Sequence, residues 1–274
     1  MNDMQPDMQP NVKLSVQDVA KTFQVRAGEQ IVAVTDTSFD VMDNEFCILL
    51  GPSGCGKSTV LRMIAGLEDT SDGTMKLNGH EIRGADRERG MVFQSYTSFD
   101  WLTVEQNVEY GMKLNRVPKA ERRERAAEFI DLVKLTKFKD AYPKHLSGGM
   151  KQRVAIARTL ANSPSLLLMD EPFGALDAET RWNMQELMVS IVESTETTVV
   201  MVTHDIEEAL FLGDRIIFFS SHPGTVLENM LPAFKNGQRI LKKEDVLTLP
   251  GYADMERDIM RLMREQGADH SDEF

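Results

Sequence analysis

The sequence is poor in cysteine. It has only Cys47 and Cys55, one in an apolar run and the other in a glycine-rich loop. Neither has metal-ligand spacing, and so sparse a use of cysteine fits a reducing cytosol. Basic surplus is also missing. The formal net charge is −12, which argues against a dedicated nucleic-acid binder. No apolar run approaches the roughly 20 residues that a membrane-crossing helix needs. The longest candidates, Phe46 to Leu50 and Ile216 to Phe219, have the length of buried strands. The N-terminus lacks the basic-then-apolar order of a secretory signal. It holds a tandem Asp-Met-Gln-Pro, Asp3 to Pro6 and Asp7 to Pro10, and residues 1–11 are read as a disordered leader. An Asn-Lys-x-Asp guanine reader is also absent, which counts against a GTPase.

What is present is an alternation of strand and helix signals. With 42% apolar and 27% charged residues, the chain has enough for one globular core with an inserted subdomain. Val12 to Val19 and Ile31 to Val41 read as strands, with Gly28 in the turn between them. Phe46 to Leu50 is a short continuous apolar run ending in Gly51-Pro52, the pattern of a buried central strand. A helix follows Gly56 to about Ala65. Met75 to Leu77 with Asn78-Gly79 predicts a short hairpin, and Met91 to Phe93 another strand. From about Thr103 to Tyr142 the pattern is helical. Thr103 and Gln106 form a capping box, Pro118 suits a helix start, and Ala126, Phe129, Ile130 and Val133 make an apolar stripe on a helix from Lys119 to Leu135. Helices at Met150 to Leu160, Ala178 to Val192 and Ile206 to Leu210 then alternate with strands at Leu166 to Met169, Thr198 to Val202 and Ile216 to Phe219. Such alternation predicts an α/β fold with a mostly parallel sheet. After about Pro223 come a weak strand, Val226 to Met230, and an acidic, Met-rich end too short for an independent domain.

Three segments carry chemistry. Gly51, Pro52, Ser53, Gly54, Cys55, Gly56, Lys57, Ser58 and Thr59 match the P-loop pattern in full, between a buried strand and a helix. The glycines let backbone N–H groups turn toward phosphate oxygens, and the helix start favours anions. Lys57 is expected to reach the β- and γ-phosphates, and Ser58 to bind Mg²⁺. Leu166 to Asp170-Glu171 is an apolar strand ending in two acids. Asp170 would support the Mg²⁺ shell, and Glu171 would orient or deprotonate water at the γ-phosphate. Leu146-Ser147-Gly148-Gly149-Met150 opens a third segment. Its Ser-Gly-Gly is a second anion-ready helix start, or else an ordinary Ser N-cap with flexible glycines. One molecule can hardly apply both phosphate-reading surfaces to one nucleotide, so the pair points to a dimer.

In this order, the motifs resemble the ATP-binding subunits of ABC transporters along almost the whole chain. The resemblance includes Gln94 after a strand, Ala175-Leu176-Asp177, and His204 after the strand Thr198 to Val202. Met150 departs from the commoner Gln. Together with Asp100 to Thr103, Glu171 to Asp177 and His204 to Phe211, it is similar to the nitrate/sulfonate/taurine importer branch. The resemblance implies a P-loop NTPase (RecA-like) core with an N-terminal antiparallel β-subdomain. A helical subdomain is expected at about residues 96–160 inside a 12–274 ATPase domain, with a short tail at about 224–274. It implies that Gln94 touches Mg²⁺ or the attacking water, that His204 meets the γ-phosphate, and that Asp177 lies across a dimer interface while also serving as a helix N-cap. It makes Phe23 the aromatic that stacks on adenine, against the bland reading of a core aromatic. Tyr96, Phe99 and Trp101 either line a groove for a membrane partner or pack the helical insertion. ATP and Mg²⁺ are the implied cofactors. The implied partners are a second copy, permease subunits and, indirectly, a solute-binding protein, at the cytoplasmic face of the membrane. The alternative is a soluble, non-transporting ATPase of the same type.

Overall fold

The computed structural model describes residues 11–25, 28–95 and 97–268. The tandem repeat, the leader up to residue 10, and Tyr96 lie outside the described residues. The chain starts with β1 (Val12–Gln24) and β2 (Gln30–Met42), paired antiparallel with Phe23 opposite Ile31. The pairing register shifts between Val16 and Val19, where Asp18 adopts φ 51°. One extra residue in the strand keeps both valines on the buried face, which strict alternation would not allow. β1 pairs on its other side with β4 (Asp72–Leu77), which turns at Asn78-Gly79 into β5 (His80–Glu81).

The second sheet contains β3 (Phe46–Leu50), β6 (Arg89–Val92), β7 (Leu166–Asp170), β8 (Val199–Thr203), β9 (Arg215–Phe219) and β10 (Val226–Met230). Its order is β10-β9-β3-β8-β7-β6, parallel except for β10 against β9. All five residues of β3, β7 and β8 are buried, as strands covered on both faces must be. Alternation then divides each strand between two cores. Phe46, Ile48 and Leu50 face the larger one, and Cys47 and Leu49 face the smaller. The smaller core lies between this sheet, α1 (Lys57–Ala65) and the antiparallel sheet. Each fully buried Leu, Ile, Val or Phe contributes about 1.5–3 kcal/mol.

The larger core joins the sheet to α2 (Val104–Leu114), α3 (Lys119–Leu132), α4 (Gly148–Leu160), α5 (Ala178–Thr195) and α6 (Ile206–Leu212). The capping box at the start of α2 forms as expected. Gln106 N–H donates to Thr103 Oγ1 at 3.3 Å, and Thr103 N–H donates to Gln106 Oε1 at 3.0 Å. α3 ends at Leu132 rather than Leu135, because Lys134 turns to φ 58°. The acidic end of the chain forms α7 (Lys243–Leu247) and α8 (Tyr252–Ala268), helices the sequence reading did not place. Val246, Tyr252 and Ile259 are buried in the larger core, so this end is part of the main body. Among the described residues, no helix is long and apolar enough to cross a membrane.

Candidate functional site

β3 delivers the chain to the phosphate-loop motif, and α1 carries it away. Two of its glycines are required by both space and conformation. Gly51 has φ 156°, and a Cβ there would lie 2.8 Å from the Phe219 carbonyl oxygen. Gly56 has φ 97°, and a Cβ would meet Val34 Cγ2 at 2.6 Å. Gly56 also supplies no side-chain cap, so the first N–H groups of α1 face outward as anion donors. Lys57 is buried. Its Nζ donates to the carbonyl oxygens of Gly51 at 2.8 Å and Pro52 at 2.7 Å, and stands 3.5 Å from Cys55 Sγ. The ammonium is thus held against the loop it is meant to serve.

The topology gathers the remaining groups. β6, β7 and β8 are parallel neighbours, so their C-terminal ends lie side by side, where sheets of this type bind ligands. Gln94 follows β6, Asp170 ends β7, Glu171 follows it, and His204 follows β8. Ser58 Oγ donates to Asp170 Oδ1 at 2.7 Å. The Glu171 carboxylate is held from two sides. Gln94 Nε2 donates to one oxygen at 3.3 Å, and His204 Nδ1 lies 3.2 Å from the other. Glu171 takes φ 42°, a conformation that costs a non-glycine residue roughly 1–3 kcal/mol. Its N–H donates to the Val202 carbonyl at 3.1 Å, and its own carbonyl accepts from Gly174 N–H at 3.2 Å. These bonds hold the turn that presents the carboxylate.

The second helix start stands apart. Ser147 is the N-cap of α4, its Oγ accepting from Met150 N–H at 3.4 Å. Gly149 is buried, and a Cβ there would lie 2.5 Å from Thr180 Cγ2 in the first turn of α5. Asp177 caps that turn, Oδ1 accepting from Thr180 N–H at 3.0 Å. This bond holds the Asp177 carboxyl below its ordinary range. Among the described residues, the hydrogen bonds of Ser147 and Asp177 stay within their own helix starts. Met150 packs against the larger core.

The aromatic candidates divide. Phe23 is half-buried against the smaller core, with Lys21 Nζ 4.9 Å from its ring centroid. Phe99 packs against Tyr110 at 4.4 Å and Trp101 at 5.3 Å between ring centroids, and Arg158 lies over its ring. Trp101 itself is 71% exposed. Asn107, which the sequence reading passed over, fixes this loop. It is fully buried in α2. It accepts from Phe99 N–H at 2.8 Å and donates to the carbonyls of Phe99, Leu102 and Thr103. A buried Asn within an amphipathic helix carries no local signal of that role.

The family model "ABC transporter" matches residues 34–174, just over half of the chain. A nitrate import ATP-binding protein of Synechocystis is 46% identical over 213 residues, covering 78% of this chain and 80% of that one. A taurine import ATP-binding protein of Rhizobium johnstonii is 47% identical over 214 residues, covering 78% and 82%. Among solved structures, an ATP-binding cassette dimer in a post-hydrolysis state, bound to ADP and Pi, superposes with a TM-score of 0.70. It is 34% identical, over 80% of this chain and 98% of that one. Phosphate loop, acidic strand end and capped Ser-Gly-Gly helix sit on the fold these relatives share, and the chain belongs to the ABC transporter ATP-binding proteins.

Proposed function

We propose that this chain is the ATP-hydrolysing subunit of an importer for a small anionic or polar solute, and that it works as a pair of identical subunits. The observation that carries the reading is the Glu171 carboxylate, held between Gln94 and His204 beside the Ser58–Asp170 contact. Residues 12–274 act as one ATPase domain, with a helical subdomain at about 96–160. Each ATP lies on Gly51–Thr59 of one subunit, with Phe23 at the adenine, and under Ser147, Gly148 and Gly149 of the other. Asp177 reaches across the same interface. The relatives named for nitrate and taurine import support the solute class.

The chemistry follows from the donors. Lys57 exchanges its loop carbonyls for phosphate oxygens. Ser58 and Asp170 are hard oxygen donors in contact beside the loop, a set that fits magnesium. Ser58, Asp170 and Gln94 would hold the ion, which would neutralise charge on the β- and γ-phosphates. Glu171 orients and polarises the attacking water, and His204 donates to the γ-phosphoryl oxygens as charge develops on them. The partner's α4 start adds backbone N–H groups and the positive end of a helix dipole. Cleavage removes the contact that closes the pair. Gln94 and the exposed Trp101 side of its loop pass the opening to permease subunits at the cytoplasmic face of the membrane.

Glu171→Gln tests the reading. It keeps the hydrogen-bonding shape and loses the base. The variant is expected to bind ATP and remain a dimer on a sizing column, with turnover down by about 10²–10⁴. Wild-type turnover in this variant would contradict the assignment.

A further inference from the structure

We infer that the C-terminal segment sets the position of His204, with Lys243 as the positioning residue through which it acts. The inference rests on the reading of His204 as a γ-phosphate group. His204 lies between Thr203 and Asp205, and both neighbours are tied to a buried polar chain. Asp205 N–H donates to Thr203 Oγ1 at 3.0 Å, and Thr203 Oγ1 donates to Glu208 Oε2 at 2.7 Å. The other Glu208 oxygen accepts from Gln185 Nε2 at 3.0 Å. The Gln185 carbonyl oxygen accepts from Lys243 Nζ at 3.2 Å. Gln185 is fully buried, and Glu208 and Lys243 nearly so. Lys243 also pairs with Glu207 at 3.1 Å and stands 5.0 Å from the Trp182 ring centroid, so it grips α5 and α6 together.

The donors fix the direction of this chain. An ammonium only donates, so the Gln185 amide must turn its oxygen toward Lys243 and its NH₂ toward Glu208. An ionised carboxylate only accepts, so Thr203 must donate to Glu208 and keep a lone pair for Asp205 N–H. The peptide unit that follows His204 is therefore oriented through a chain that ends on a charge of α7. Burial pushes the Glu208 carboxyl up, which makes the carboxylate dependent on these donors. α7 is itself anchored. Val246 is fully buried, Lys242 pairs with Glu186 at 2.8 Å, and Lys243 N–H donates to Glu186 at 3.3 Å.

Steady-state ATP hydrolysis by the full chain tests this, with rates expressed per nucleotide site counted by ATP titration. Lys243→Met keeps the stem and removes the ammonium. The expected loss in kcat is about tenfold, with KM for ATP unchanged within about twofold. Lys243→Arg, also a pure donor, is expected to restore kcat to within about threefold. In a His204→Ala background, Lys243→Met is expected to cost no more than about twofold, because Lys243 acts through His204. An undiminished kcat in Lys243→Met, or an equal loss in both backgrounds, overturns the inference. If His204→Ala alone turns over normally, the reading of His204 fails first, and the two failures are told apart. Should Lys243→Met not accumulate as folded protein, Lys243→Gln, shorter and uncharged, is measured in its place with the same expected loss.

Discussion

Two helices of this chain, α1 and α4, begin at glycine-rich turns, and their surroundings differ. The start of α1 is crowded with chemistry. Lys57 folds over it, the Ser58–Asp170 contact flanks it, and Glu171 stands nearby between Gln94 and His204. The start of α4 has an exposed Ser147 that caps its own helix, and Gly149 behind it lies against Thr180 in the first turn of α5. The glycines differ too. Gly51 and Gly56 have positive φ, whereas Gly149 is helical and is required only by the space beside Thr180. In the function proposed above, the first helix start holds and cleaves a phosphate, and the second offers its N–H groups and hydroxyl to the ATP of another copy. On that proposal, the two half-sites of one chain become whole when two copies meet.

That contrast can be broken from either side. Lys57→Ala removes the ammonium from the complete half and is expected to weaken ATP binding by about 100-fold or more, by fluorescence titration. Unchanged affinity would contradict the assignment of α1. Ser147→Arg blocks the presenting half. The monomer should bind ATP with affinity within about threefold of wild type, while the ATP-dependent dimer disappears from light scattering. A stable ATP dimer of this variant would remove α4 from the interface. The smallest effect concerns packing. Gly149→Ala is expected to destabilise by about 1–2 kcal/mol in a denaturant melt, since a Cβ would meet Thr180 Cγ2 at 2.5 Å. Adding Thr180→Ser deletes that methyl and should recover most of the loss. No recovery would mean that Gly149 is needed for its backbone rather than for space.

The sequence revealed local features best. β3, α1 and α2 start where their residues say they should, because glycine loops, caps and apolar runs act through near neighbours. β6 illustrates the limit. It spans Arg89–Val92 rather than Met91 to Phe93, because Arg89 and Gly90 pair with β7 far along the chain. The meeting of Gln94, Glu171 and His204 has the same origin. Each was named as a separate strand-end residue, but their contact follows from the order β6-β7-β8, which no local pattern contains. α8 was legible and overlooked. Tyr252, Met255, Ile259 and Leu262 recur at helical spacing within a charged stretch, and they pack on the larger core. The chain Lys243–Gln185–Glu208–Thr203 was not legible, since its members come from α7, α5, α6 and β8.

The central claim is that each ATP is shared by the α1 half of one subunit and the α4 half of another. Mixing two inactive proteins tests it most directly. Lys57→Ala alone and Ser147→Arg alone are each expected to hydrolyse almost no ATP. In the mixed dimer, one site combines the intact phosphate loop of the Ser147→Arg subunit with the intact α4 start of the Lys57→Ala subunit. ATPase activity should therefore return on mixing, to about a quarter of the wild-type rate for random pairing. A mixture as inactive as its two components would contradict the shared site.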